Sequence, residues 1–118
     1  MNKILLIDDD RDFLNLLAVI AGDYEWKPYK AASVQEAKEL LTQDNYHTVC
    51  IDFPLRDGTA IDVLGFMKGR GIGSRAVVLS GHSEDSVRNA VFQAGAMEYV
   101  EKGGSGFLEA IFAVGQES

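Results

Sequence analysis

Cysteine and proline are nearly missing from this 118-residue chain, which has one of the first and two of the second. A single Cys50 cannot close an intrachain disulfide, so a secreted, disulfide-stapled scaffold is excluded. Cys50 sits inside an apolar run and reads as a small core hydrophobe, compatible with a reducing cytoplasm. Long hydrophobic runs are absent too. No stretch approaches the about 20 apolar residues that a spanning helix needs, and Met1-Asn2-Lys3 leads straight toward a strand, unlike a signal peptide. Positive charge is scarce, with 11 Lys and Arg against 18 Asp and Glu and a net charge of -7. Direct nucleic-acid binding and a basic face for anionic lipid are therefore not expected. What remains is ordinary globular composition, 47% hydrophobic and 25% charged, enough for one domain over residues 1–118. No repeat, linker or low-complexity segment interrupts it.

The apolar pattern alternates between short runs and helical stripes. Residues 3–8, Lys27–Ala31, His47–Asp52, Arg75–Ser80 and Ala96–Val100 read as strands, the second the weakest because it contains Pro28. Between them, Phe13, Leu16, Leu17 and Ile20 recur at helical spacing, with Gly22 as the expected stop. Ser33-Val34-Gln35-Glu36 forms a capping box ahead of a stripe of Val34, Ala37, Leu40 and Leu41. Phe53–Gly58 reads as a loop and Thr59–Lys68 as a helix. Gly69, Gly71 and Gly73 crowd the next connection, which is expected to be mobile. Ser83 is the expected cap of a helix that turns Val87, Ala90, Val91 and Ala94 inward and ends at Gly95. A last helix carries Leu108, Ile111 and Phe112. Five strands alternating with five helices give an α/β, doubly wound parallel sheet.

Polar residues close four of these runs. Asp8-Asp9-Asp10 follows the first strand, Asp52 the third, Ser80 the fourth and Lys102 the fifth. Ligand groups in such sheets gather beyond the carboxyl ends of the strands. Crowded carboxylates repel and their pKa values rise unless a cation intervenes. Mg²⁺, or Mn²⁺ in its place, suits such hard oxygen donors. Asp10 and Asp12 fit the start of a helix better, where carboxylates favour the dipole. Asp52 can serve as a nucleophile toward phosphorus once a cation screens the incoming oxygens. Ser80 can hydrogen-bond a phosphoryl oxygen, Lys102 can pair with another, and backbone amides after Asp52 and Ser80 can hold the rest.

In order and spacing, Ile4-Leu5-Leu6-Ile7-Asp8-Asp9-Asp10, Ile51-Asp52-Phe53-Pro54-Leu55-Arg56-Asp57-Gly58, Val77-Val78-Leu79-Ser80-Gly81 and Gly95-Ala96-Met97-Glu98-Tyr99-Val100-Glu101-Lys102 closely match one family. Over nearly its whole length the chain resembles the receiver domain of two-component response regulators. That resemblance implies a flavodoxin-like sheet in the order 2-1-3-4-5. It implies that Asp52 accepts a phosphoryl group from a histidine kinase or histidine phosphotransfer protein. Asp9, Asp52 and the Pro54 carbonyl would ligate Mg²⁺, with Asp8 acting through water. Ser80, the Gly81 amide and Lys102 would bind the phosphoryl group, and Tyr99 would be the rotating aromatic switch. Pro54 and His82 would tune phosphoryl lifetime, although His82 can equally begin an ordinary surface loop. Output would pass to an effector or an output domain, none of which lies in this chain. A homodimer through the fourth helix, fifth strand and fifth helix is also implied, with Phe92 pointing outward and Phe107 and Val114 at the margin.

Three departures from the family pattern stand out. Gly103 replaces a proline that is usually joined to the lysine by a cis peptide, so Lys102 is expected to be less well aimed. Arg56 stands where proline is frequent, and Ala60 where glycine is common. Two other readings stay open. One is a receiver-like interaction module that is never phosphorylated. The other is a small phosphatase of the haloacid-dehalogenase type with Asp8 as nucleophile.

Overall fold

Four of the five residues of the first strand, Lys3–Ile7, are buried, so it must lie inside a sheet covered on both faces. The computed structural model describes residues 2–113 and places it there. In chain order the elements are β1 (Lys3–Ile7), α1 (Arg11–Asp23), β2 (Lys27–Ala31), α2 (Val34–Gln43), β3 (Thr48–Asp52), β4 (Pro54–Leu55), β5 (Gly58–Thr59), α3 (Ala60–Gly69), β6 (Arg75–Ser80), α4 (Asp85–Ala94), β7 (Glu98–Glu101) and α5 (Phe107–Phe112). Five strands pair in parallel in the order β2-β1-β3-β6-β7. Counting those strands alone, this is the expected 2-1-3-4-5.

Strand alternation then divides the core in two. Leu5, Ile7, Val49, Ile51 and Val78 meet Val34, Ala37, Val63, Met67 and Val91 from α2, α3 and α4. Ile4, Leu6, Cys50, Val77 and Leu79 meet Leu14, Leu17, Ile111 and Phe112 from α1 and α5. Cys50 is a core residue of this second layer, and burial pushes its thiol pKa far up, so it is chemically inert. At the amino-terminal edge of the sheet, side chains hold the end of α5. Trp26 Nε1 donates to the Phe112 carbonyl at 2.7 Å, and the Arg75 guanidinium donates to the carbonyls of Ala110 and Ile111. Phe112 and Ile111 are buried as expected, Leu108 partly so, and Val114 lies outside the described residues.

Several boundaries differ from the sequence reading. Residues 53–59 are not merely a loop: Pro54 pairs with Thr59 and Leu55 with Gly58 in a short antiparallel ribbon. Asp57 at its tip accepts the N–H groups of Val34 and Gln35 at 2.7 and 3.1 Å, tying this ribbon to the start of α2. Ser33 does accept from Glu36 N, but Glu36 reaches back to Ala32 N rather than to Ser33, so the box is displaced by one residue. Thr59 caps α3, and the Asp62 carboxylate accepts the Thr59 N–H in return. Ser83 is not the cap of α4. The chain stays extended through Glu84, whose N–H donates to the Tyr99 hydroxyl at 3.3 Å. Ala90 is exposed, because the buried stripe of α4 runs through Val87, Val91 and Ala94 and passes it by.

Gly22 does not stop α1 either; the helix continues to Asp23. Its end is a Schellman motif, with Glu25 N bonded to Gly22 O at 3.0 Å and Trp26 N to Ala21 O at 2.9 Å. The left-handed position of this motif is taken by Glu25, at φ 67°. In α3 the same motif uses Gly71 at φ 66°, bonded to Lys68 O, with Ile72 N on Met67 O. The connection read as mobile thus begins as an ordered helix end. A side chain in the left-handed region costs about 1–2 kcal/mol, and Glu25 is exposed, with no packing to lose. Glu25→Gly is therefore expected to raise stability by about 0.5–1 kcal/mol, net of the extra freedom glycine has when unfolded. Urea denaturation of the two proteins checks this, and an unchanged or lower midpoint would contradict it.

Candidate metal centre

Register brings the acids together. Ile7 pairs with Ile51 and Asp52 with Leu79, so β1, β3 and β6 end level at one edge of the sheet. Asp8, Asp9 and Asp52 each offer a carboxylate oxygen there, all within 4.8 Å of one another. Asp8 is 1% exposed and Asp52 6%, whereas Asp9 faces solvent. Lys102, just beyond β7, reaches in with Nζ at 2.9 Å from Asp8 Oδ2 and 3.2 Å from Asp52 Oδ1. The sequence expectation of a poorly aimed lysine is thus corrected. The Lys102–Gly103 peptide is trans, and Gly103 adopts φ 73°, a value closed to proline. Glycine lets this loop turn by another path, and Lys102 N still donates to Ser80 O at 2.8 Å.

The electrostatics follow from burial and crowding. Burial first, then the neighbouring charge of Asp8, pushes the Asp52 carboxyl up to about 6, with Lys102 offsetting part of the rise. For Lys102, burial alone would lower the pKa, but hydrogen bonds and charges from Asp8 and Asp52 outweigh it and raise it. Asp8 Oδ1 accepts the Asp10 N–H at 2.9 Å. Among the described residues its buried Oδ2 is met only by the Lys102 ammonium, at 2.9 Å. A buried carboxylate oxygen with a lone ammonium for a partner, beside two further hard oxygen ligands, fits a divalent cation such as Mg²⁺. Asp10 and Asp12 take no part. Asp10 is the cap of α1, accepting from Asp12 N and Phe13 N, and Asp12 lies exposed in its first turn.

The remaining sequence candidates surround this pocket. Pro54 is exposed in β4, where pairing with Thr59 fixes its backbone two residues beyond Asp52. Ser80 closes β6, and its hydroxyl donates to the His82 carbonyl at 2.6 Å. Gly81 is exposed at the same edge. His82 is exposed, with Nε2 at 3.0 Å from Glu84 Oε1. Tyr99 is already turned inward, 7% exposed, its hydroxyl on the Glu84 amide. The sequence reading passed over two residues. Phe13, counted only as a stripe position of α1, lies with its ring centroid 4.3 Å from Lys102 Nζ. Asp57 gave no signal beyond an Asp-Gly turn, because its partners in α2 are 22 and 23 residues away.

A family model for the response regulator receiver domain matches residues 4–106. The chain belongs to that family. It is the receiver domain of a two-component signalling protein and not a classical enzyme. Among curated relatives, it is 31% identical over 100 residues to the photosynthetic apparatus regulatory protein RegA of Cereibacter sphaeroides, covering 85% of this chain and 54% of RegA. It is 32% identical over 101 residues to the acid tolerance regulatory protein ActR of Rhizobium meliloti, covering 85% and 52%. The receiver thus spans about half the length of these relatives. Similar solved structures share the fold. A response regulator of Burkholderia pseudomallei with a phosphorylated aspartic acid and a calcium ion superposes with TM-score 0.84 at 20% identity, over 94% of this chain and 66% of the other. TrrA of Thermotoga maritima, bound to Mg²⁺ and BeF, gives 0.80 at 22% identity, over 91% of each.

The raised Asp52 carboxyl has a consequence for stability. A group whose folded pKa exceeds its unfolded value favours the fold while protonated and loses that contribution as pH rises through the folded value. In metal-free receiver, Asp52 therefore costs stability above about pH 6 and none below the ordinary carboxylate range. Asp52→Asn is expected to stabilise the metal-free protein by about 1–3 kcal/mol at neutral pH, the gain fading toward pH ~4. Urea melts in chelator across that range test it; an Asn variant weaker than wild type at neutral pH would refute it.

Proposed function

We propose that Asp52 is the phosphoacceptor of this receiver, taking its phosphoryl group from a histidine kinase or histidine phosphotransfer protein with Mg²⁺ or Mn²⁺ as cofactor. The observation that carries this reading is the placement of the buried Asp52 carboxylate, 3.2 Å from Lys102 Nζ and grouped with Asp8 and Asp9. Asp9, Asp52 and the Pro54 carbonyl would hold the cation, with Asp8 one step further back. When bound, the cation neutralises charge that builds on the phosphoryl oxygens.

The rest falls to the chain itself. An ionised Asp52 oxygen forms the new bond to phosphorus as the donor's bond breaks, and the electron pair leaves with the imidazole nitrogen of the donor. Lys102 supplies a fixed positive charge to one phosphoryl oxygen. Ser80 can donate its hydroxyl to another once it leaves the His82 carbonyl, and the Gly81 amide would assist. Tyr99, held by its hydroxyl to the start of α4, couples this edge to the face formed by α4, β7 and α5. Phe92 and Met97 are exposed there, 38% and 65%, and suit an effector, an output domain or a second copy. Faster sedimentation of the phosphorylated form would identify a second copy. The reading places the protein in the cytoplasm beside its kinase.

A phosphatase using Asp8 fits less well, because one Asp8 oxygen is bonded to Asp10 N and the other is buried against Lys102. A phosphorylation-independent module predicts no label at all. Incubation with acetyl phosphate and Mg²⁺ is expected to add one phosphoryl group, abolished by chelator and by Asp52→Asn; label retained in that variant would move the site elsewhere. The same assay reads lifetime. His82, exposed beside the acceptor edge, is expected to influence the attacking water, so His82→Ala should change the half-life by about twofold or more. Equal half-lives would make His82 an ordinary loop residue.

A further inference from the structure

We infer that Phe13 is a positioning residue for Lys102: its ring, 4.3 Å from Nζ, is the partner that holds the ammonium in the pocket when the carboxylates are otherwise engaged. This rests on the phosphoacceptor reading of Asp52. Lys102 has three partners, the Asp8 and Asp52 carboxylates and the face of Phe13. The carboxylates are also ligands for a divalent cation, and each neutralised carboxylate attracts the ammonium less. Joining a phosphoryl group to Asp52 moves the negative charge from the carboxylate out to the phosphoryl oxygens, so the ammonium must follow it there. An aromatic ring does not compete for the metal and keeps its attraction for the ammonium throughout.

The backbone behind Lys102 increases the need for such a partner. Gly103, Gly104 and Gly106 fill three of the four positions after it, with Gly103 and Gly106 at φ 73° and 76°. The bond from Lys102 N to Ser80 O fixes where the side chain begins, but these glycines bring no side chain against it, so the aim of the ammonium depends on what its far end touches. Phe13 itself is firmly set. It lies in the first turn of α1, its N–H bonded to the Asp10 cap, and it packs on the layer containing Leu14, Leu17 and Phe112. The ring therefore transmits the rigidity of α1 to the far end of a long, flexible side chain.

Two measurements test this. Lys102 ε-CH₂ protons under an aromatic face resonate upfield; they should do so in wild type and lose the shift in Phe13→Leu, which keeps an apolar side chain without a ring. Labelling by acetyl phosphate with Mg²⁺ should slow about fivefold in Phe13→Leu and return to within about twofold of wild type in Phe13→Tyr. The proposal is overturned if wild-type Lys102 shows no ring shift, if Phe13→Leu labels at the wild-type rate, or if Phe13→Tyr labels as slowly as Phe13→Leu. Wild type that takes no label removes the phosphoacceptor reading, and the ring shift then decides the Phe13–Lys102 contact alone.

Discussion

Three carboxylates and one ammonium share the carboxyl edge of the sheet, and most of what is distinctive about the molecule follows from their imbalance. Asp8, Asp9 and Asp52 bring three negative charges and Lys102 one positive, leaving two uncompensated. Burial makes that deficit costly, since the low-dielectric edge strengthens repulsion as much as attraction. The raised Asp52 carboxyl is one expression of the cost, and the buried Asp8 oxygen that must share Lys102 with Asp52 is another. A divalent cation matches the missing charge, and the same cation is what a dianionic phosphoryl group needs in order to approach an acid. Metal affinity and phosphoryl acceptance thus share one electrostatic cause.

The scaffold bears this cost because its acids cannot move apart. Asp8 and Asp52 extend from strands whose buried side chains fix register on both faces, and a one-residue slip would turn each core layer outward. Around that rigid pair the chain places more adaptable parts. The ribbon carrying Pro54 is clamped to α2 through Asp57, whereas Lys102 stands on a glycine-rich turn. The clustered acids are in this way held by the backbone, while the Lys102 ammonium, at the end of a long side chain, is met by side chains of Asp8, Asp52 and Phe13.

Residues whose partners are local in sequence were legible, and those with distant partners were not. The strands, the two-layer core, the Asp10 cap and the acids at strand ends follow from periodicity and short-range chemistry. The start of α4 does not, because Tyr99, 15 residues away, decides where Glu84 stays extended. Nor does the aim of Lys102: the missing proline suggested a misdirected side chain, but Gly103 reaches a left-handed conformation that proline cannot, and Asp8, Asp52 and Phe13 supply the direction. Gly22 looked like the end of α1, yet the backbone turns three residues later at Glu25, where burial of Trp26 outweighs the preference for glycine.

The loop after β6 links the Asp52 edge to the start of α4 through a short series of contacts. Ser80 has one hydroxyl proton, and it is given to the His82 carbonyl at 2.6 Å. Donating that proton to a phosphoryl oxygen means withdrawing it from His82, since one proton serves one strong acceptor at a time. His82 then keeps only its imidazole contact to Glu84, and Glu84 is the residue whose amide binds the Tyr99 hydroxyl at the head of α4. Tyr99 is inward before any phosphoryl group arrives, so an aromatic swing from outside to inside is not the first event this geometry offers. On the phosphoacceptor reading, the first change would instead be loss of the Ser80–His82 bond, in the segment that leads into α4.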